Sequence, residues 1–282
     1  MEKICWANTD NFDESEFVIL GIPDESQSHA LRKGTEEAPS KIRQVSNLRD
    51  SYVRNGKTSL GRPFQGNEKK VHDIGNISRI EIENMYDKIS TSSKIPISIG
   101  GDHSITSQII NSMANTYGKI SLVYFDAHPD FVSSTANYYG SVITDVISRI
   151  EIESSIQIGI RTPEQEELDN IKKYDLQVIT PFDIAEQGLV KVTNTILDKL
   201  GDKVYVSFDM DCIDPAYAPG VSVPVPVGLS SNDAIYLLQK IVKRGIIGMD
   251  VMEVCPSFDI KDRTSHLASR IISEVLYSSG ET

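Results

Sequence analysis

The sequence predicts an α/β fold: three layers, with a mostly parallel eight-stranded sheet covered by helices on both faces. Two observations carry this. Short runs rich in Val, Ile and Phe recur along the chain, apolar at successive positions rather than alternating, as strands buried on both faces are. Between them lie segments with apolar residues at helical spacing, and such alternation of strand and helix builds a parallel sheet. A third observation concerns function. Acidic and imidazole side chains follow several of these runs, and open α/β sheets place their sites beyond the carboxyl ends of strands.

The strands are read at 17–21, 70–74, 96–100, 121–125, 155–160, 176–180, 203–208 and 246–251. Helical spacing occupies 38–48, 79–92, 105–117, 164–173, 190–200 and 232–243. The last of these follows Ser230 and Ser231, with Asp233 three residues beyond Ser230, a capping-box-like start. A final helix is expected from Asp262 or Arg263 to about Tyr277. No Pro, Gly or Ser-rich linker divides the chain, so residues 1–282 are read as a single domain.

Of the 282 residues, 39% are hydrophobic and 24% charged, a globular composition. The net charge of −12 argues against nucleic acid as a partner, since no basic stripe is present to neutralise phosphates. An acidic field instead favours cationic ligands. Cys5, Cys212 and Cys255 are odd in number and far apart, which fits a reducing, cytoplasmic chain without a disulfide framework. The acidic N-terminus lacks a signal core. No stretch approaches the ~18 to 20 apolar residues that span a bilayer. A soluble protein with no membrane partner is expected.

Six side chains stand out: His103; Asp126, His128 and Asp130; Asp209 and Asp211. Each set ends a predicted strand. Residues two apart face the same side of an extended segment, so Asp126, His128 and Asp130 are expected to share a site, as are Asp209 and Asp211. Cys212 would then point away. Four carboxylates and two imidazoles suit Mn²⁺ or a similar borderline-hard divalent ion. Two such ions about 3.5–4 Å apart activate water at neutral pH, so no serine or thiol nucleophile is needed. Neither a GxSxG elbow nor a GxxxxGK[ST] loop is present. Glu253 also follows a strand.

These motifs resemble the ureohydrolases, the family of arginase, agmatinase and formimidoylglutamase. Arg32, Gly34, Pro39, Ile42 and Arg43 fit its R-x-G-x-x-x-x-P-x-x-I-R pattern, and Asp73-Ile74-Gly75 its next strand end. Gly100 to Ser104, Asp126 to Asp130, and Ser207 to Asp211 with Asp214-Pro215 and Ala218 to Gly220 match three further signatures. Asp250 to Val254 with Pro256, and Thr264, Leu267, Ala268 and Arg270, resemble the last two. The resemblance spans nearly the whole chain and implies an arginase-like sheet and two Mn²⁺ ions. It implies that His103, Asp126, Asp130 and Asp209 surround one ion and Asp126, His128, Asp209 and Asp211 the other. It further implies a homo-oligomer (trimer or hexamer). Asp130 would orient the attacking water and move its proton. Glu253 would pair with a guanidinium, and urea and an amine would leave. Arg32, Pro39 and Arg43 are read as shaping a helix start and its packing.

Two departures bear on substrate. Tyr139 falls where the family has a proton-shuttling histidine; a phenol titrating near about 10 can donate a hydrogen bond but is a poor shuttle at neutral pH. Residues 221–228, VSVPVPVG, stand where the family has a G-T-P-E-P-G-G-like stretch. Only eight residues, 131–138, separate Asp130 from Tyr139, short for a loop that grips an amino-acid carboxylate. The expected substrate is therefore a small cationic guanidino compound. Agmatine, giving putrescine, comes first, then guanidinobutyrate or a similar compound, then arginine, with formimidoylglutamate behind them. A catalytically weak metal-binding scaffold is the alternative.

Overall fold

The computed structural model describes residues 2–48 and 69–279. Its strands are β1 (Phe17–Gly21), β2 (Val71–Asn76), β3 (Ile95–Ile99), β4 (Ser121–Phe125), β5 (Ile156–Ile158), β6 (Gln177–Ile179), β7 (Val204–Asp209) and β8 (Gly248–Met252). Its α-helices are α1 (Ala38–Ser46), α2 (Ile82–Thr91), α3 (Ile105–Tyr117), α4 (Val142–Val146), α5 (Gln165–Tyr174), α6 (Pro181–Gln187), α7 (Leu189–Lys199), α8 (Ser231–Arg244) and α9 (Arg263–Ser278). All eight expected strands are present, although β5 and β6 shrink to three residues each. Every expected helix is present too.

Two helices escape the sequence reading. The five-residue α4 is too short to show a period. The start of α6 was legible, because Thr180 caps it by accepting the Asp183 N–H and Pro181 opens the first turn. At α8, Ser230 accepts the Asp233 N–H as its spacing predicts.

The sheet is wholly parallel, in the order β2-β1-β3-β8-β7-β4-β5-β6. Successive residues enter opposite cores, which explains the unbroken apolar runs. Phe17 and Ile19 of β1, Val123 and Phe125 of β4, and Val204, Val206 and Phe208 of β7 pack on one face with α1, α7, α8 and α9. Val18, Leu20, Leu122, Tyr124 and Tyr205 pack on the other with α2, α3 and α4. Among the described residues, no helix is long and apolar enough to cross a membrane.

The strand order positions the site. β3, β8, β7 and β4 are neighbours, and Ile99, Val251, Phe208 and Phe125 pair in one row across them. Four strand ends therefore stop level, and the candidate site residues stand at or just beyond them. Of the N-terminal motif residues, Pro39 and Arg43 pack at α1 as expected, whereas Arg32 does not shape the helix start but reaches the 219–221 segment. Pro39 lies in the first turn of α1, Arg43 is buried against Asp73 of β2, and Arg32 donates to the Pro219 and Val221 carbonyls.

Candidate metal centre

Tight turns, not extended backbone, bring the ligands together. After β3, Gly101 passes so close to the next segment that a Cβ there would meet the Asp24 carbonyl at 1.9 Å. That turn presents His103. After β4, Asp130 is left-handed (φ 48°), and the His128 N–H donates to Asp126 Oδ1 at 2.6 Å. After β7, Met210–Cys212 is a 3-10 turn whose Asp211 N–H donates to Asp209 Oδ1 at 2.7 Å. The expectation that alternate residues share a side on extended segments is thus corrected. Turns closed by the ligands' own carboxylates do the gathering. Cys212 does point away, into the core.

All six expected ligands converge. His103 Nδ1 lies 3.0 Å from Asp126 Oδ2, 3.0 Å from Asp209 Oδ2 and 3.3 Å from Asp130 Oδ2. His128 Nδ1 lies 3.0 Å from Asp211 Oδ2 and 3.3 Å from Asp126 Oδ1. Two donor groups result, His103/Asp126/Asp130 and Asp126/His128/Asp211, with Asp126 offering one oxygen to each. Asp209 reaches the first group through His103. His128 is the more open of the two imidazoles.

Hydrogen bonds alone do not satisfy this arrangement. The Ser207 hydroxyl donates to Asp250 Oδ1 at 2.8 Å, so it accepts from His103 Nε2–H, also at 2.8 Å. Tyr205 and Thr106 donate to Asp250 Oδ2 at 2.8 and 3.0 Å. His103 Nδ1 then points at three carboxylate oxygens, which hold a proton on it when no other cation is there. Tyr124, stacked on the ring, spends its one proton on Asp130 Oδ2 at 2.5 Å. Asp126 Oδ2 is buried and accepts no hydrogen bond. Carboxylates crowded around two ring nitrogens call for positive charge, and oxygen and imidazole donors suit a divalent cation.

The ionisation behaviour agrees. Burial opposes charge on His103, yet Asp126, Asp130 and Asp209 push it well above the ordinary imidazole range. Against the same penalty, Asp211 and Asp126 push His128 up to about 12. Burial and then Asp126 push Asp130 up to about 7, while burial and then Asp211 push Asp209 well up. Protons on the two imidazoles, with the raised Asp130 and Asp209, supply the positive charge that a divalent ion would bring, and ions displace such protons on binding.

Glu253 follows β8 in a left-handed conformation (φ 64°) and is buried. Its Oε1 accepts the His103 N–H at 2.8 Å, and its Oε2 accepts the Ser222 hydroxyl. Burial raises its pKa to about 8. Tyr139 opens a short 3-10 turn at the rim, half-buried, 5.6 Å from the Tyr138 ring and 6.1 Å from that of His29. Burial, then Glu253 and Asp130, raise its pKa above the usual phenol range. It therefore keeps its proton at neutral pH.

The model of the arginase family matches residues 15–277. The chain belongs to that family. An agmatinase of Neisseria meningitidis serogroup C (strain 053442) is 34% identical over 281 residues, 94% of this chain and 88% of the relative. The agmatine ureohydrolase of Thermoplasma volcanium superposes with a TM-score of 0.85 at 29% identity, over 99% of this chain and 94% of that one. The proclavaminate amidino hydrolase of Streptomyces clavuligerus gives 0.85 at 27% identity, over 97% of each chain. Fold and relatives together make this an agmatinase-like ureohydrolase.

Two residues of this arginase-family site are invisible to motif reading. Ser222 lies in the valine-rich loop but contacts Glu253, a partnership across 31 residues of sequence. Arg161, after β5, donates all five of its side-chain N–H groups to backbone carbonyls. The only signal for it was an arginine immediately beyond a strand.

Proposed function

We propose that this protein is a binuclear manganese-dependent hydrolase of a guanidino compound, most favourably agmatine, releasing urea and putrescine. The observation that carries the reading is the convergence of all six donors with Glu253 beside them. When bound, two divalent ions supply Lewis acidity and lower the pKa of water. The chain would hold one with His103, Asp126, Asp130 and Asp209, and the other with Asp126, His128, Asp209 and Asp211.

The remaining roles belong to the protein's own groups. Glu253 receives the guanidinium, whose planar N–H pairs match a carboxylate. The arriving cation favours the charged form of this buried acid and draws its pKa back down. The His103 N–H and the Ser222 hydroxyl fix the carboxylate plane meanwhile. Asp130 orients the attacking water and passes its proton toward the leaving nitrogen, with Tyr124 holding Oδ2 in place. Tyr139 donates a hydrogen bond at the rim.

Arg161 supports the substrate ordering. Its donors are all engaged by carbonyls, so it offers no charge-paired grip on a substrate carboxylate. Agmatine lacks that group, whereas guanidinobutyrate, arginine and formimidoylglutamate carry it, so the observation favours agmatine over the other three. The proposal includes a single domain over 1–282, a cytoplasmic setting and a homo-oligomer, trimer or hexamer, whose mass light scattering after size exclusion would measure.

The test is urea release from agmatine, guanidinobutyrate and arginine by Mn²⁺-loaded protein, with Asp130→Asn as control. Turnover of agmatine that disappears in the variant is expected. Folded, metal-loaded protein that releases urea from none of the three would sink the proposal and leave a metal-binding scaffold.

A further inference from the structure

Arg161 ties together three segments that meet at one edge of the site. Its Nη2 donates to the Asp211 carbonyl at 2.7 Å and to the Val225 carbonyl at 2.6 Å. Nη1 donates to the Gly159 and Cys212 carbonyls at 3.1 and 3.3 Å, and Nε to the Pro226 carbonyl at 3.1 Å. The main chain joins in. The Arg161 and Thr162 N–H groups both donate to the Ala127 carbonyl, at 2.9 and 3.2 Å. The Ala127 N–H in turn donates to Asp211 Oδ1 at 2.9 Å. A closed ring runs Arg161–Ala127–Asp211–Arg161, and Ala127 sits between Asp126 and His128.

The packing leaves little freedom. Gly159 is left-handed (φ 101°), and a Cβ there would lie 2.9 Å from the Asp126 carbonyl and 3.3 Å from Cys212 Cβ. The loop held by Nε and Nη2 is the one that carries Ser222, the hydroxyl on Glu253. A single guanidinium thus spans the turn of one donor group and the loop beside the guanidinium-binding carboxylate.

We infer that Arg161 is a positioning residue that sets the Asp126/His128/Asp211 donor group and the 221–228 loop as one unit, so that loading the second ion and ordering Ser222 against Glu253 are coupled. The inference rests on the two-ion reading above. Apart from the shared Asp126, the other donor group consists of His103 and Asp130, which are held by Ser207 and Tyr124 instead. Loss of Arg161 should therefore be felt far more at the ion held by His128 and Asp211 than at the other. Lysine is no substitute. Its single ammonium has three donors and cannot reach five carbonyls in a plane.

The experiment is Mn²⁺ titration of the full-length protein and of Arg161→Lys and Arg161→Gln, followed by metal stoichiometry and electron paramagnetic resonance. Hydrogen exchange over 221–228 is read on the same samples. Wild type is expected to bind two ions with the signal of a coupled pair. The variants should keep one ion at close to wild-type affinity and hold the second roughly tenfold or more weakly, as removing an outer partner of a ligand typically does. The coupled signal should give way to an isolated-ion signal, and the loop should exchange faster. A variant that holds both ions as tightly as wild type, with unchanged loop exchange, overturns the inference while leaving the two-ion reading intact. So does a uniform loss of affinity at both ions, or a variant unfolded with and without Mn²⁺, since either makes Arg161 a general scaffold residue. Wild type that binds fewer than two ions overturns the underlying reading instead.

Discussion

Arg43→Met should cost this fold more than almost any other single change outside the site. Arg43 is 0% exposed and reaches from α1 to β2, the edge strand of the sheet. Its Nε and Nη2 donate to the two oxygens of Asp73, both at 2.8 Å. Nη1 also donates to Asn76 at 2.7 Å and Nη2 to the Gly75 carbonyl at 3.0 Å. Methionine fills much of the volume but leaves Asp73 buried without its cation. Breaking a buried pair in this way costs about 3–5 kcal/mol. For a chain this long, each kcal/mol shifts Tm by about 2–4 °C, so a fall of roughly 10 °C is expected. The assay is thermal and urea denaturation of the full-length protein at neutral pH, followed by circular dichroism. Arg43→Met with Asp73→Leu removes both charges and should recover most of the loss. A single variant within about 1 kcal/mol of wild type would refute the reasoning, as would a double variant no better than the single one.

The same pair gives a pH signature. Burial alone would raise Asp73, but the Arg43 hydrogen bonds and charge, with the Ile4 and Gly75 N–H groups, hold it below the usual carboxylate range. A carboxyl depressed on folding contributes stability that is full above its unfolded pKa, near 3.9. That contribution is lost as pH falls through the folded value. In Arg43→Met, burial goes unopposed by a cation and Asp73 is raised instead. The penalty is then full at neutral pH and shrinks as acid protonates Asp73. Wild type and variant should therefore converge in stability on the acid side, and a gap that widens there would contradict the sign.

Three further outcomes follow from the site and its rim. Asp250→Asn and Ser207→Ala both loosen the tautomer of His103, so each should weaken Mn²⁺ binding by about 10–100-fold, read by competition with a chelator; unchanged affinity would refute that chain of hydrogen bonds. Tyr139→His should preserve or raise turnover of agmatine at neutral pH, and a large loss with full metal content would show that the phenol has its own role. Val227 is β-branched, exposed and left-handed (φ 64°), so Val227→Gly should stabilise the protein by about 0.5–1 kcal/mol, strain relief of ~1–2 exceeding glycine's added entropy cost. Destabilisation by that change, in urea melts, would mean the valine side chain packs favourably.

Strands, helices and the residues that converge at the candidate site were legible because each leaves a local trace. A strand buried on both faces, such as Ser121–Phe125, is apolar throughout, and a ligand set begins where it ends. Strand order left none. Nothing near Glu253 in sequence says that β8 lies between β3 and β7, because that is decided by pairings more than a hundred residues apart in the case of β3. The turns were misread for a related reason. Asp126-x-His128-x-Asp130 suits an extended segment by spacing alone, and only the hydrogen bonds of the carboxylates to their own backbone bend it. Arg161 was hidden more deeply, since its partners are main-chain carbonyls, which carry no residue signature.

Strain and charge are concentrated in the same few residues, and the surroundings explain how they are sustained. Asp130 and Glu253 are both left-handed without being glycine, a conformation that costs on the order of 1–3 kcal/mol each. Both stand where a strand stops and a carboxylate must turn back over the sheet's end. A relaxed backbone would direct each side chain elsewhere. What holds Asp130 is Tyr124, from the strand it follows; what holds Glu253 is the His103 N–H and Ser222, from two others. Rigid neighbours thus impose the conformation, so a substitution at Tyr124 or Ser222 should alter the site before it alters the fold. The same holds for charge: four aspartates crowd together in a buried place, so a divalent ion that binds there should add stability that grows with the logarithm of its concentration over its Kd. Strain and charge thus meet at the end of a parallel sheet packed on both faces, a rigid base for them.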